Sequence, residues 1–313
     1  MARIEPTYAP HHPRFKTNTM QRKQYLIVGG SSVSGQAIIQ GLREEDANGF
    51  LISTTSGDGA VSGADATIQG IDLSDASAAR RMIAGTREHQ SAGTLDTIVY
   101  VPARGMVGIP ASAATRAMVD ESIDYSIRPM LELMRALKPR LTVCLSGFIT
   151  MESMLDIYGA MTYTKLIMED LATRHADRFK VIRLGMFPSK SVRGIAILVQ
   201  KGAQRKTYPE LGRMAELWRA SGEKKFQDWM WNRNWEFEES VYREAAASDK
   251  GFRPTTADDI QLAARRVLSE PAPILNVLGD WVWTDDRMPA IPGVVQERGD
   301  FLKTDLDAYF RED

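Results

Sequence analysis

The amino-acid sequence predicts an α/β protein, a doubly wound parallel sheet of about seven strands with helices on both faces. Two observations predict it. From Tyr25 onward, short β-rich runs alternate with helical stretches, the order that parallel strands joined by crossover helices produce. The first strand also runs through a turn of glycines and serines straight into a helix, Tyr25 to Ile39, the opening of a Rossmann-type nucleotide fold.

The strands are expected at Tyr25 to Val28, Phe50 to Thr54, Ala66 to Ile71, Thr97 to Val101, Leu141 to Leu145, Lys180 to Leu184 and Ile274 to Leu278. Between them, helices are expected at Gly35 to Arg43, Ala76 to Thr86 (capped from Ser74-Asp75), Thr115 to Leu137, Tyr158 to Ala176 and Thr256 to Leu268. The helix over Tyr158 to Ala176 places Leu166, Ile167 and Leu171 at helical spacing. One stretch exceeds a minimal doubly wound domain: residues 203–252, dense in aromatics, with helical periodicity. It is expected as an inserted helical pair lying as a lid over the carboxyl edge of the sheet. Residues 1–23, with His11 and His12, three prolines and no apolar core, read as a flexible arm before a single domain over 24–313.

Composition narrows the function classes. In 313 residues, Lys plus Arg (39) nearly cancels Asp plus Glu (40), so no global field draws the chain to nucleic acid or an anionic membrane. No stretch reaches the roughly 18 uninterrupted apolar residues of a membrane span. The single cysteine, Cys144, lies in the apolar run of a strand, which forbids an internal disulfide and points to a cytoplasmic setting. No metal-ligand spacing stands out, and none is expected.

The turn Gly29-Gly30-Ser31-Ser32-Val33-Ser34-Gly35 carries the first chemical signal. A pyrophosphate approaches a helix N-terminus closely only where side chains are small, and the exposed N–H groups and helix dipole then favour the anion. The turn resembles the cofactor turn of the short-chain dehydrogenase/reductase superfamily, with Val33 where glycine is usual. That resemblance implies an adenine contact from Asp72-Leu73 after the third strand and a ribose-side turn at Pro102-Ala103-Arg104 after the fourth. The second strand ends in Thr54 and Thr55 without the acid that would repel a 2′-phosphate. NADP(H) is therefore favoured, with NAD(H) left open.

The second signal is the stretch Tyr158-Gly159-Ala160-Met161-Thr162-Tyr163-Thr164-Lys165. Typical superfamily members carry their proton-donating tyrosine four residues before the lysine, where this chain has Met161, and a thioether has no proton to give. Tyr158 stands two helical turns before Lys165 and shares its face. Tyr158, Met161 and Lys165 together resemble enoyl-acyl carrier protein reductases of the same superfamily. The resemblance implies that Tyr158 supports a carbonyl as hydride adds to the conjugated carbon, and that Lys165 holds the nicotinamide ribose. It extends to Gly185, Phe187 and Ser189 after the sixth strand, to Phe148 as a pocket aromatic and to Ser146 as a catalytic serine. Met161 is expected as an apolar wall of the substrate site and Tyr163, about 200° away round the helix, as packing.

Trp218 and Trp229 of the insertion are expected to line the substrate pocket, and Arg205, Lys206, Arg213, Arg219, Lys224 and Lys225 could face an acidic carrier protein. Core packing or a dimer contact would explain the aromatics equally well. The leading expectation is an NAD(P)H-dependent reductase acting on a conjugated C=C of a hydrophobic or acyl small molecule, free or carrier-borne, in a chain that can form homo-oligomers. Two alternatives stand beside it: an atypical ketoreductase on a bulky ketone, and a non-catalytic NADP-binding sensor.

Overall fold

The computed structural model describes residues 22–90 and 95–311, so the proposed N-terminal arm lies almost wholly outside the described residues. The chain begins with β1 (Gln24–Val28), whose five residues are all buried, as a near-continuous apolar run in the middle of a parallel sheet requires. It continues through α1 (Val33–Glu45), β2 (Phe50–Thr54), β3 (Ala66–Ile68), α2 (Ala78–His89), β4 (Thr97–Tyr100), α3 (Arg116–Ser126), α4 (Arg128–Leu137) and β5 (Leu141–Gly147). After a short α5 (Glu152–Leu155) come α6 (Gly159–Arg174), β6 (Phe179–Leu184), α7 (Lys190–Arg205), α8 (Pro209–Ser221) and α9 (Phe226–Ala246). The chain closes with α10 (Ala257–Arg266), β7 (Ile274–Leu278), β8 (Trp281–Asp285), α11 (Gly293–Gln296) and two single 3₁₀ turns.

The strands form one sheet in the order β3-β2-β1-β4-β5-β6-β7-β8. All neighbours are parallel except β7 and β8, which pair as an antiparallel hairpin. Strand order reverses between β1 and β4, the switch point at whose carboxyl end ligands bind in such sheets. One face is covered by α1 and α10, with Ile38, Leu42, Ile260 and Ala263 meeting the sheet. The other is covered by α2, α3, α4 and α6. The C-terminal segment then wraps over α6. The ring of Phe301 meets Tyr163 edge-on at 5.3 Å and that of Phe310 stacks on His175 at 3.8 Å, so α6 is buried on nearly every side.

Four expectations need correction. The sheet has an eighth strand, β8, that the sequence reading omits. The helix expected over Thr115 to Leu137 is two helices, because Pro129 has no N–H for Tyr125 and its ring would strike that carbonyl. The third strand stops at Ile68, two residues before Gly70 turns the chain with φ of +64°. The expected insertion over 203–252 holds two helices, α8 and α9, but a third, α7, packs with them and carries the helical segment back beyond its expected boundary. It starts at Lys190, because Ser189 accepts from the Val192 N–H and caps α7 well before that boundary.

Among the described residues no helix is long and apolar enough to cross a membrane, and no group of three or more His, Cys, Asp or Glu side chains could hold a metal ion. Cys144 is sealed in β5, where burial pushes its thiol up to about 12.

The hairpin strand β8 anchors the edge of the sheet through Trp281, which is 1% exposed, meets Phe252 edge-on and donates from Nε1 to the Lys250 carbonyl at 2.9 Å. Trp281→Ala is expected to lower the unfolding free energy by about 3–5 kcal/mol, read from urea denaturation midpoints at unchanged slope.

Candidate active site

A cavity of about 660 Å³ opens over the carboxyl ends of β1, β4, β5 and β6. Its first wall is the turn after β1. Ser32 caps α1, accepting from the Gly35 N–H at 3.0 Å and donating to the Gly29 carbonyl at 2.9 Å. This leaves the Val33 and Ser34 N–H groups, at the positive end of a 13-residue helix, without hydrogen-bond partners among the described residues. Thr54 Oγ1 accepts from the Gly29 N–H, and Thr55 shares a hydrogen bond with Ser31, so the end of β2 holds the turn in shape. At Gly35 no side chain is admissible: a Cβ would fall 2.3 Å from the Gly29 carbonyl oxygen and 2.6 Å from the Gly30 Cα. Such a turn fits a dinucleotide pyrophosphate. Its small residues permit approach, its free amides supply donors, and it opens into a cavity large enough for an extended ligand.

The floor comes from β5 and α6. Lys165, 4% exposed, donates from Nζ to the Leu145 carbonyl at 2.6 Å, and burial pulls its ammonium down to about 8. Tyr158 lies just before α6 as its N-cap residue rather than within it, yet it lines the same cavity as Lys165, and desolvation pushes its phenol up to about 12. Ser146 is the sixth residue of β5, inside the strand rather than after it. Its hydroxyl donates to Glu169 Oε1 at 2.6 Å. Glu169 in turn takes Arg183 of β6 through both oxygens, at 3.2 and 2.7 Å, and Arg183 reaches Asn276 of β7 and Asp285 of β8. With its proton committed to a buried carboxylate, Ser146 presents only acceptor lone pairs to the cavity.

The remaining wall is largely apolar. Phe148 lines it, backed by the rings of Tyr242 at 4.4 Å and Trp283 at 5.6 Å. Met151, Met154, Met186 and Met230 join it, adaptable side chains suited to an irregular apolar ligand. Pro102, Ala103, Gly185, Phe187 and Ser189 line the cavity as well.

Other expected residues lie elsewhere. Met161 does not line the cavity: it is 2% exposed, accepts from Ser122 at 3.0 Å, and is roofed by Gly105, where a Cβ would sit 2.8 Å from the sulfur. Trp218 and Trp229 pack on Phe226, each with ring centroids 5.4 Å from it, and make the insertion's own core; Met230, the residue after Trp229, is the one that reaches the cavity. Leu73 and Arg104 line a separate groove beside α2 and α3, and the Arg104 guanidinium lies over the Tyr125 ring. Asp72 is engaged locally, accepting from the Ser74 N–H and hydroxyl.

Glu238 belongs to the cavity although no sequence expectation names it. It is 1% exposed and lines the cavity from α9, and burial pushes its carboxyl up to about 8. The signal was present: Phe226, Met230, Asn234 and Glu238 recur every four residues, one buried helix face that turns polar along its length.

No family model matches the chain, and no curated protein matches it in sequence. Solved structures do match. An enoyl-(acyl-carrier-protein) reductase from Anaplasma phagocytophilum, in complex with NAD, aligns at 15% identity and a TM-score of 0.53 over 79% of this chain and 87% of that one. The Cj0485 dehydrogenase aligns at 15% identity and a TM-score of 0.51 over 86% and 97%. The likeness is one of fold: the chain has the Rossmann-type α/β fold of these two proteins. In that fold the cavity described here lies where the sheet's strand order reverses, and α7 to α9 form its outer side.

Lys165 makes the electrostatics testable. Its ordinary value is 10.5 and the folded chain gives the proton up near 8, so between these the unfolded state binds more protons and stability rises with pH. Lys165→Met is expected to gain on the wild type by on the order of 3 kcal/mol below that window, offset at every pH by the lost bond to Leu145, and the gain is expected to vanish as pH rises through the window. Denaturant melts across that range check it; a pH-independent difference would contradict a buried, strained ammonium.

Proposed function

We propose that the chain is an NAD(P)H-dependent oxidoreductase of the short-chain dehydrogenase/reductase type, reducing a conjugated C=C of a hydrophobic or acyl carbonyl compound. One observation carries this reading: a single cavity joins the anion-receptive turn at Gly29 to Ser34 with Ser146, Tyr158, Lys165 and Ser189. The turn would hold the pyrophosphate through the Val33 and Ser34 amides, Lys165 the nicotinamide ribose, and Phe187 and Ser189 the nicotinamide end. Bound reduced nicotinamide supplies a hydride.

The protein's own groups divide the remaining work. Lys165 Nζ is held by the Leu145 carbonyl and by Met168 Sδ at 3.8 Å, and from its place in the cavity lining it would donate to ribose hydroxyls. Tyr158 keeps its proton at any physiological pH and so acts as a hydrogen-bond donor to a substrate carbonyl, polarising it. The methionine-rich wall favours an apolar chain or ring and excludes water around the reacting atoms. The acid-free end of β2 at Thr54 and Thr55 supports NADP(H) over NAD(H). The exposed bases of α7 to α9, Arg205, Lys206, Arg219, Lys224 and Lys225, supply a surface for an acidic carrier.

The test is oxidation of NADPH, with NADH in parallel, against crotonyl-coenzyme A and phenanthrenequinone. Turnover of the thioester supports the reading, turnover of the quinone alone moves the chemistry to carbonyl reduction, and nucleotide binding without turnover points to a sensor. Tyr158→Phe is expected to lower kcat by on the order of 100-fold with NADPH affinity intact. Gly35→Ala is expected to weaken NADPH by on the order of tenfold or more, about 1.4 kcal/mol, because its Cβ meets backbone that cannot yield.

A further inference from the structure

We propose that Glu238 is the proton donor of this reaction, its carboxyl passing a proton from Oε2 to the oxygen of the substrate carbonyl. The proposal rests on the reductase reading above. The family's usual donor position holds Met161, which carries no acidic proton and lies under Gly105 outside the cavity. Ser146 has its proton committed to Glu169. Among the cavity groups that hold a proton, the Tyr158 phenol, pushed up to about 12, gives it up less readily than the carboxyl that α9 supplies in Glu238, pushed up to about 8.

The geometry of Glu238 suits the task. Its Oε1 accepts from the Met186 N–H at 2.6 Å and from the Asn234 amide at 3.1 Å, which fixes the side chain from one side only. Oε2 is buried, has no hydrogen-bond partner among the described residues, and lies 3.4 Å from where a side chain on Gly185 would begin, Gly185 itself lining the cavity. A buried carboxyl oxygen without a partner costs free energy unless it carries a proton or meets a ligand. Around it are Asn234 and Tyr242 of the same helix, Met186 after β6 and Thr255 before α10; of these the Tyr242 phenol titrates, pushed upward by burial. No cation in that set would draw the proton away, and burial keeps the carboxyl protonated at neutral pH.

The step balances as follows. As hydride and its electron pair reach the substrate carbon, the π electrons move towards the carbonyl oxygen. The Oε2–H bond breaks, its electron pair stays on the carboxylate, and the proton forms the new O–H bond. A conjugated substrate leaves as the enol, which becomes the saturated carbonyl in water, and a ketone leaves as the alcohol. The Met186 N–H and the Asn234 amide stabilise the carboxylate until water returns its proton.

The experiment compares the full chain with Glu238→Gln, which keeps the bond from Met186, and with Glu238→Asp, using NADPH with crotonyl-coenzyme A and phenanthrenequinone on both sides of pH 8. Glu238→Gln is expected to lose on the order of 100-fold in kcat with NADPH affinity, read by fluorescence titration, unchanged, and Glu238→Asp to recover part of the loss. Lys165 also titrates near 8. The wild-type basic limb should therefore fall with two deprotonations and the Gln variant's with one. In nucleotide-free protein, the infrared band of a protonated carboxyl should fade as pH rises through about 8 and be missing from Glu238→Gln. Wild-type turnover in the Gln variant, or no such band, would overturn the proposal and leave the reductase reading standing. A wild type that binds NADPH yet turns over neither probe overturns that reading, and this one with it.

Discussion

The ion pair between Glu169 of α6 and Arg183 of β6 is the constraint on which the working end of the molecule depends. Both partners are almost wholly buried, at 0% and 4% side-chain exposure. Charges taken so far from water are tolerated only when every oxygen and N–H is matched, and removing one partner of such a pair costs about 3–5 kcal/mol. Here the matching is spread across the sheet: Ser146 from β5, Asn276 from β7 and Asp285 from β8 complete it. Helix α6 cannot shift along the sheet without breaking several of these bonds at once. Because α6 also carries Lys165 and begins beside Tyr158, the pair sets where both stand relative to β5.

The same network explains what the sequence makes legible and what it hides. The parallel strands are written as apolar runs, and β2 and β7 occupy the residues their composition marks. Strand β8 is not so written. It follows β7 across Gly279, only Trp281 of its five residues is buried, and the apolar run Trp281-Val282-Trp283 gives way to Thr284 and Asp285, too short to mark a central strand. Its place is fixed by Asp285 reaching Arg183, a contact across 102 residues that no local pattern contains.

Within the site the turn at Gly29 to Gly35 is legible because small residues between a strand and a helix have few other uses. The tryptophans mislead for a physical reason. Helical periodicity says that Trp218 and Trp229 lie on a buried face, but it cannot say whether that face meets a cavity or another helix of the same insertion. The expected pair, α8 and α9, is joined by α7, and together they provide enough apolar surface for the insertion to build a core of its own around Phe226. The aromatics are used there, and the smaller, more pliable Met230 is left to face the cavity. Met161 misleads similarly: its place in the sequence suggests the chemistry, while Ser122 and Gly105 enclose it.

The cavity's polar groups, taken by their protonation, also say what sort of ligand it suits in the proposed reaction. Tyr158 and Glu238 both hold their protons at neutral pH, the first because burial alone raises it, the second because burial outweighs its two hydrogen bonds. Ser146 offers acceptance only. With the Lys165 ammonium assigned to the nicotinamide ribose, the two neutral donors and the apolar, methionine-rich wall suit an uncharged reacting end better than a carboxylate or phosphate. The cavity suits a neutral carbonyl, whose oxygen gains negative charge during reduction and strengthens both hydrogen bonds as it does so. Interactions that grow on the way to the transition state are those that accelerate the step. The buried pair beneath Ser146 contributes by subtraction. By taking the serine's proton, it leaves the donor role to Tyr158 and Glu238, on the α6 and α9 sides of the cavity.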